Sequence, residues 1–233
     1  MTLSLIAAVR SDVGLVRENN EDAAYAGRRL FAIADGIGGL PAGELASDLV
    51  IKALMTLDET GGDLREAVRG ANQRIREVVD EHPEREGMGT TLTALVDTGD
   101  DRLTLLHIGD SRAYLLREGV LTQLTRDDTY VQSLVDHGVL TPEEARRHPQ
   151  RSVVTQALQG DDVTPTIAAL EAYPGDRYLL CSDGLSDYVT DDAIAAALRE
   201  YGDLGECAEA LIKLTLQGGA PDNVSVVLAE VTA

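Results

Sequence analysis

Residues 90–117, TTLTALVDTGDDRLTLLHIGDSRAYLLR, decide the fold. Three apolar runs, Thr90–Val96, Arg102–Ile108 and Ala113–Arg117, are separated by Gly99-Asp100-Asp101 and by Gly109-Asp110-Ser111. Short β-prone runs bounded by Gly/Asp turns predict consecutive strands of an antiparallel sheet. Working outward toward the N-terminus, Ala46, Leu49, Val50, Ala53, Leu54 and Leu57 share one helical face, and Leu64, Val68, Ala71, Ile75, Val78 and Val79 share another. Gly61-Gly62 separates the two, and so short a link predicts an antiparallel helix pair. Ser4–Arg10 and Leu30–Ala34 are further short apolar runs before the helices.

Toward the C-terminus the text changes. Residues 126–160 are rich in charge and show only short helical patterns, Tyr130–His137 and Pro142–Arg147, which predicts an inserted flap at about 125–160. Strand Arg177–Cys181 follows, then a helix facing inward with Ile194, Ala197 and Leu198, then one with Cys207, Ala208, Leu211 and Ile212. Val224, Val226 and Leu228 alternate in a final strand. Antiparallel strands with segregated helix pairs predict an α+β layered sandwich, and the absence of a repeat or linker predicts a single domain over residues 1–233.

Composition removes several functions. A net charge of −20 argues against nucleic acid and against anionic membranes as partners. Any phosphate site must therefore bring its own positive charge. Lys52 and Lys213 are the only lysines, and arginine supplies the other 18 of the 20 Lys and Arg residues. Cys181 and Cys207 both fall on apolar patterns, so two buried thiols and a cytoplasmic setting are expected. No apolar run reaches the roughly 18 residues of a membrane span, and MTLSLIAAVR lacks the features of a signal peptide. The chain stops just after its last strand, which is compatible with the cytoplasmic domain of a longer, membrane-anchored protein.

The chemistry is carried by aspartates in turns: Asp35 in DGIGG, Asp110 in IGDSR, Asp183 in CSDGL and Asp222 in PDN. A carboxylate at a strand end beside glycine can share a hard cation with a bare backbone carbonyl such as that of Gly36. Taken singly, each is an ordinary turn. Other phosphate chemistries fail on detail. The third glycine of a GxGxxG loop would fall on Pro41, no Gly-Lys pair exists for a Walker loop, and the arginine that a cysteine nucleophile needs six residues on is Asp187. No Asp-x-Asp pair suits an aspartyl-phosphate enzyme, so attack by a metal-activated water is left. Arg17, in GLVRENNED, can hold the phosphate through its planar fork.

GLVRENNED, DGIGG, GMGTTL, HIGDSRAYLLR, RSVVTQAL, LLCSDGLSD and GGAPDNVSVV, in this order, resemble the metal-dependent protein serine/threonine phosphatases (the PPM family, type two C) in their bacterial, actinobacterial form. The resemblance runs from about Ala7 to Val231. It implies a four-layer α-β-β-α sandwich and hydrolysis of phosphoserine and phosphothreonine by a hydroxide bridging two Mg2+ or Mn2+ ions. It implies that Asp35 bridges both ions with the Gly36 carbonyl on one, that Asp183 and Asp222 bind the other, and that Glu21 and Asp22 act mainly through waters. Arg17 matches the phosphate-binding arginine, and Thr90 and Thr91 the threonines behind the site. Asp110, Asp183 and the backbone near Ser152 match a third, weaker metal site. Phosphoproteins, Ser/Thr kinases among them, are the implied partners of a monomeric enzyme. The chain departs from the pattern at Leu40, where bacterial members carry a histidine, so the general acid has no obvious residue. A low-activity binding module on the same fold is the alternative reading.

Overall fold

A computed structural model of the chain describes residues 4–37, 42–99 and 101–233. Leu40, and with it Gly38, Gly39 and Asp100, lies outside the described residues.

Among the described residues, ten strands form two five-stranded sheets in which every pairing is antiparallel. The first sheet orders β1 (Ser4–Asp12), β10 (Val224–Thr232), β9 (Arg177–Cys181), β6 (Arg112–Arg117) and β7 (Val120–Gln123). The second orders β2 (Asp22–Ala26), β3 (Leu30–Asp35), β4 (Leu92–Gly99), β5 (Arg102–Ile108) and β8 (Thr166–Glu171).

The period of two along each strand builds the layers. In β3, Leu30, Ala32 and Ala34 pack under the helices α1 (Gly43–Thr60) and α2 (Leu64–Glu81). The intervening Phe31 and Ile33 face the other sheet, where they meet Tyr178, Leu180 and Val227. In β10, Val224, Val226 and Leu228 face α6 (Asp191–Glu200) and α7 (Leu204–Gln217), while Val227, Ala229 and Val231 face inward. The order is therefore helices, sheet, sheet, helices. Strands buried on both faces explain why β3 and β10 read as nearly continuous apolar runs. Both cysteines are free and buried, as expected.

The sequence reading misses three strands. β2 is the alanine-rich DAAYA, with every residue half-buried and little β-propensity. β7 is four residues long, and β8 closes the other sheet with a largely open face. The flap carries the two short helices expected, α3 (Tyr130–Asp136) and α4 (Pro142–Arg146), and α4 begins with a Thr141–Glu144 capping box. Ion pairs Arg151–Asp187 and Arg146–Asp191 tie the flap to α6 and to the residues just before it.

Asp58, near the end of α1, fastens the β2–β3 turn to the helix layer. Its carboxylate accepts from the backbone N–H groups of Arg28 (3.1 Å), Arg29 (2.5 Å) and Leu30 (2.9 Å) and from the Tyr25 hydroxyl (3.2 Å). Burial alone would raise its pKa, but these donors prevail and hold it below the ordinary carboxylate value. A depressed folded pKa contributes stability above the unfolded value near ~3.9, and that contribution is lost as pH falls through the folded one. Asp58→Ala is expected to cost about 2–3 kcal/mol at pH 7, since it orphans several donors. In urea unfolding the gap to wild type should shrink as pH drops below about 4. Equal midpoints at pH 7 would refute this role.

Candidate metal centre

The antiparallel registers bring the motif aspartates to one end of the sandwich. Asp22 opens β2 directly opposite Asp35, which closes β3. Asp110 follows β5, Asp183 starts the short helix α5 (Asp183–Ser186) just after β9, and Asp222 precedes β10. Ser182 joins the sheets here: its hydroxyl donates to Asp22 Oδ2 (2.8 Å) and accepts from the Ser225 N–H (3.0 Å).

Asn223 fixes the loop that carries Arg17. Its Oδ1 accepts from the Glu21 N–H (2.8 Å), and its Nδ2 donates to the carbonyls of Val13 (3.0 Å) and Asn19 (2.9 Å). The Arg17 guanidinium consequently lies against Asp222 (2.9 Å) and Glu21 (3.8 Å). Behind Asp35, the Thr91 hydroxyl accepts from the Asp35 N–H (3.0 Å), and Thr90 Oγ1 donates to the Asp35 carbonyl (2.8 Å). Thr91 also bonds Ser111 (2.9 Å), the residue after Asp110. Position 36 must be glycine for a steric reason. A Cβ there would stand 2.6 Å from the Gly43 carbonyl and 2.7 Å from the Glu21 oxygen.

The electrostatics call for a cation. Burial, then repulsion from Asp22, Asp183, Asp110 and Asp222, pushes Asp35 well above the usual carboxylate range. Asp183 is raised likewise by burial and then by Asp110, Asp187, Asp222 and Asp22. Burial pushes Asp22 up to about 6 against the pull of its serine hydrogen bonds, and Asp110 up to about 7 with help from Asp127 and Asp187. The Asp22 Oδ1 oxygen is buried with no hydrogen-bond partner. A buried acceptor without a donor, inside a ring of like charges, is what a bound cation would satisfy.

Among the described residues, no three His, Cys, Asp or Glu side chains draw together into a cage for one ion. The Asp22–Asp35 pairing and the hydrogen bond from Ser182, the residue before Asp183, to Asp22 nevertheless bring these carboxylates to the same end of the sandwich. The two observations agree if the ions keep much of their water, because Mg2+ is commonly held by only one or two carboxylates. Carboxylate oxygens and a bare glycine carbonyl form a hard donor set, which suits Mg2+ or Mn2+.

Beside this centre a cavity of ≈ 200 Å³ runs under the flap, lined by Asp110, Asp183, Ser152 and Asp187 among others. Asp110, Asp183 and Ser152, matched from sequence to a third metal, thus line the same cavity. His107 is buried, with Nδ1 at Thr93 Oγ1 and Nε2 at the Arg126 carbonyl, both at 3.0 Å, so its ring is structural.

With that geometry in view, the sequence model for "Protein phosphatase 2C" matches residues 16–214. The chain belongs to the protein phosphatase 2C family. It is 59% identical over 237 aligned positions to the serine/threonine protein phosphatase PstP of Mycobacterium tuberculosis, covering 99% of this chain and 46% of PstP. The chain thus spans about half the length of that relative. Protein phosphatase PhpP of Streptococcus pneumoniae is 35% identical over 98% of this chain and 96% of its own. The crystal structure of the PstP catalytic domain with two manganese ions superposes with a TM-score of 0.93, at 56% identity and full coverage of both chains.

Sequence reasoning passed over the second layer of this protein phosphatase 2C site. Ser182 and Asn223 stand in the motifs CSDGL and PDN, yet only their aspartates attract notice as ligands. Their polar partners are distant in the chain, Asp22 for Ser182 and Val13, Asn19 and Glu21 for Asn223, and no local pattern announces them.

Proposed function

We propose that this chain is a catalytic domain, residues 1–233, that hydrolyses phosphoserine and phosphothreonine in proteins with the help of divalent metal ions. The observation that carries the reading is the convergence of Asp22, Asp35, Asp183 and Asp222 at one end of the sandwich, one of them with an orphaned buried oxygen, beside an arginine. Asp35, Asp183 and Asp222, with the Gly36 carbonyl, would hold two ions. Asp22 and Glu21 would complete them through waters, and Asp110, Asp183 and Ser152 would hold a third. Mg2+ or Mn2+ in these positions supplies a water of lowered pKa and positive charge against the phosphoryl oxygens.

The chain's own residues do the rest. Arg17 is oriented before substrate arrives, because Asp222 and Glu21 hold its guanidinium while its side chain stays 37% exposed. Its free N–H groups can take phosphoryl oxygens and neutralise charge that grows in the transition state. Thr90, Thr91 and Ser111 lock the backbone of Asp35 and so limit reorganisation during the reaction. His107 is engaged on both nitrogens and is no proton donor to the leaving oxygen.

Phosphorylated proteins are the proposed substrates, Ser/Thr kinases among them, with the chain acting as a monomer in the cytoplasm. No helix of the described residues is long and apolar enough to cross a membrane. The test is phosphate release from phosphoserine and phosphothreonine peptides with Mn2+ supplied and then withdrawn by EDTA. Release that stops with EDTA supports the reading, and metal binding without release would make the chain a binding module.

A further inference from the structure

The loop that carries Arg17 also exposes two apolar side chains with no packing role. Leu15 is 63% and Val16 is 67% exposed. Isolated exposed aliphatic residues are ordinary. This pair differs because its loop is clamped. The Gly14 N–H donates to Asp12 Oδ1 (2.8 Å), the Leu15 N–H donates to the Ala220 carbonyl (2.8 Å), and Asn223 grips Val13 and Asn19 on either side. Gly14 has φ +77°, and a Cβ there would stand 2.1 Å from the Asp222 carbonyl oxygen. A backbone held this firmly cannot roll its two side chains inward to bury them. They are displayed at a fixed place, in the two positions before the arginine proposed to hold phosphate.

We propose that Leu15 and Val16 form an apolar shelf that contacts a hydrophobic side chain flanking the phosphoresidue of the substrate polypeptide. The inference rests on the phosphatase reading above. Successive Cα atoms are ~3.8 Å apart both in this loop and in a bound peptide. Leu15 is bonded to Ala220 and Arg17 to Asp222, so positions 15 and 16 stay beside the arginine and within reach of residues that flank a phosphoryl group held there. The surroundings select against acidic flanks, because Glu21 and Asp222 stand against the same arginine in a chain of net charge −20. An aliphatic flank meets no such repulsion and removes apolar surface from water on both sides.

The experiment uses three phosphothreonine peptides, identical except that both residues flanking the phosphothreonine are Leu, Ser or Lys. Wild type should hydrolyse the Leu-flanked peptide with a kcat/KM about fivefold above the Ser-flanked one, as expected from partial burial of an aliphatic side chain. The difference should lie in KM, since contacts remote from phosphorus are equal in ground and transition states. The double variant Leu15→Ser/Val16→Ser should lose that ratio, and Leu15→Met/Val16→Ile should keep it. Equal rates on the Leu and Ser peptides, a ratio that survives the double serine variant, or a preference for Lys above Leu would overturn the shelf while leaving the phosphatase reading intact. Dimerisation in sedimentation velocity that the serine variant abolishes would assign the pair to a second copy of the chain, and would also overturn it. No hydrolysis of any of the peptides would defeat the phosphatase reading and the shelf with it.

Discussion

Asp35→Asn lowers Mn2+-supported phosphate release by at least about 1000-fold while the metal-free protein becomes more heat-stable; this is the expected pair of results. The loss follows from position. Asp35 faces Asp22 across the β2–β3 pair and lies within the field of Asp110, Asp183 and Asp222, so it is the carboxylate most of the others surround. An amide offers one neutral oxygen where the carboxylate offers two charged ones, and misplacing or losing an ion removes both the activated water and the charge stabilisation, each worth several kcal/mol. The gain has the same origin. Without metal, the Asp35 charge is buried among like charges, and the isosteric amide relieves that repulsion. A rise of about 2–4 °C in the melting temperature of the EDTA-treated variant is expected, as for roughly 1 kcal/mol in a domain of this size. Thermal scans with and without EDTA, beside initial rates, check both halves. A fall in stability with intact turnover would give Asp35 a purely structural role.

Gly184→Ala is expected to be among the most disruptive single-methyl changes in the chain. Gly184 follows Asp183 in α5 and packs on Asn223 and Val224, where the chain enters β10 just after Asp222. A Cβ at this position would lie 1.9 Å from the Asn223 carbonyl oxygen, 2.9 Å from its carbon and 3.3 Å from Val224 Cα. All three atoms are backbone, so no side chain can swing aside, and the two segments must separate. Asn223 also clamps Val13, Asn19 and Glu21, so the displacement reaches the Arg17 loop. The cost should be about 3–5 kcal/mol, at the upper end for overpacking, with weakened Mn2+ affinity in whatever remains folded. Gly70 in α2 is the control: nothing lies within 4 Å of a Cβ there, and Gly70→Ala should be neutral or stabilising. Urea midpoints for the two variants decide it, and a Gly184→Ala midpoint near wild type would contradict the tight packing of α5 on β10.

Much of this was legible in the amino-acid text because local rules carried it. The α1 and α2 faces repeat at helical spacing, and the Gly/Asp turns after β3, β5 and β9 mark strand ends, so the layered α+β class and the main motif aspartates followed. β2 was not legible, since five residues rich in alanine lack a β signature, and its register is what sets Asp22 opposite Asp35. The edge strands β7 and β8 were missed because they are short or half-open and lack a strong alternation. Ser182, Ser111 and Asn223 remained hidden because their roles depend on partners brought close only by folding. Gly36 could be read as a bare carbonyl, but its steric need, the approach of Gly43 and Glu21, required three dimensions.

The most direct test is the rate of phosphate release from a phosphothreonine peptide as Mn2+ is titrated into metal-stripped protein. The expected result is no release without metal and a saturable rise to full turnover, with Asp35→Asn and Asp183→Asn flat across the titration. Release that persists in EDTA, or a saturable rise undiminished in those variants, would contradict catalysis by metal held on this carboxylate cluster.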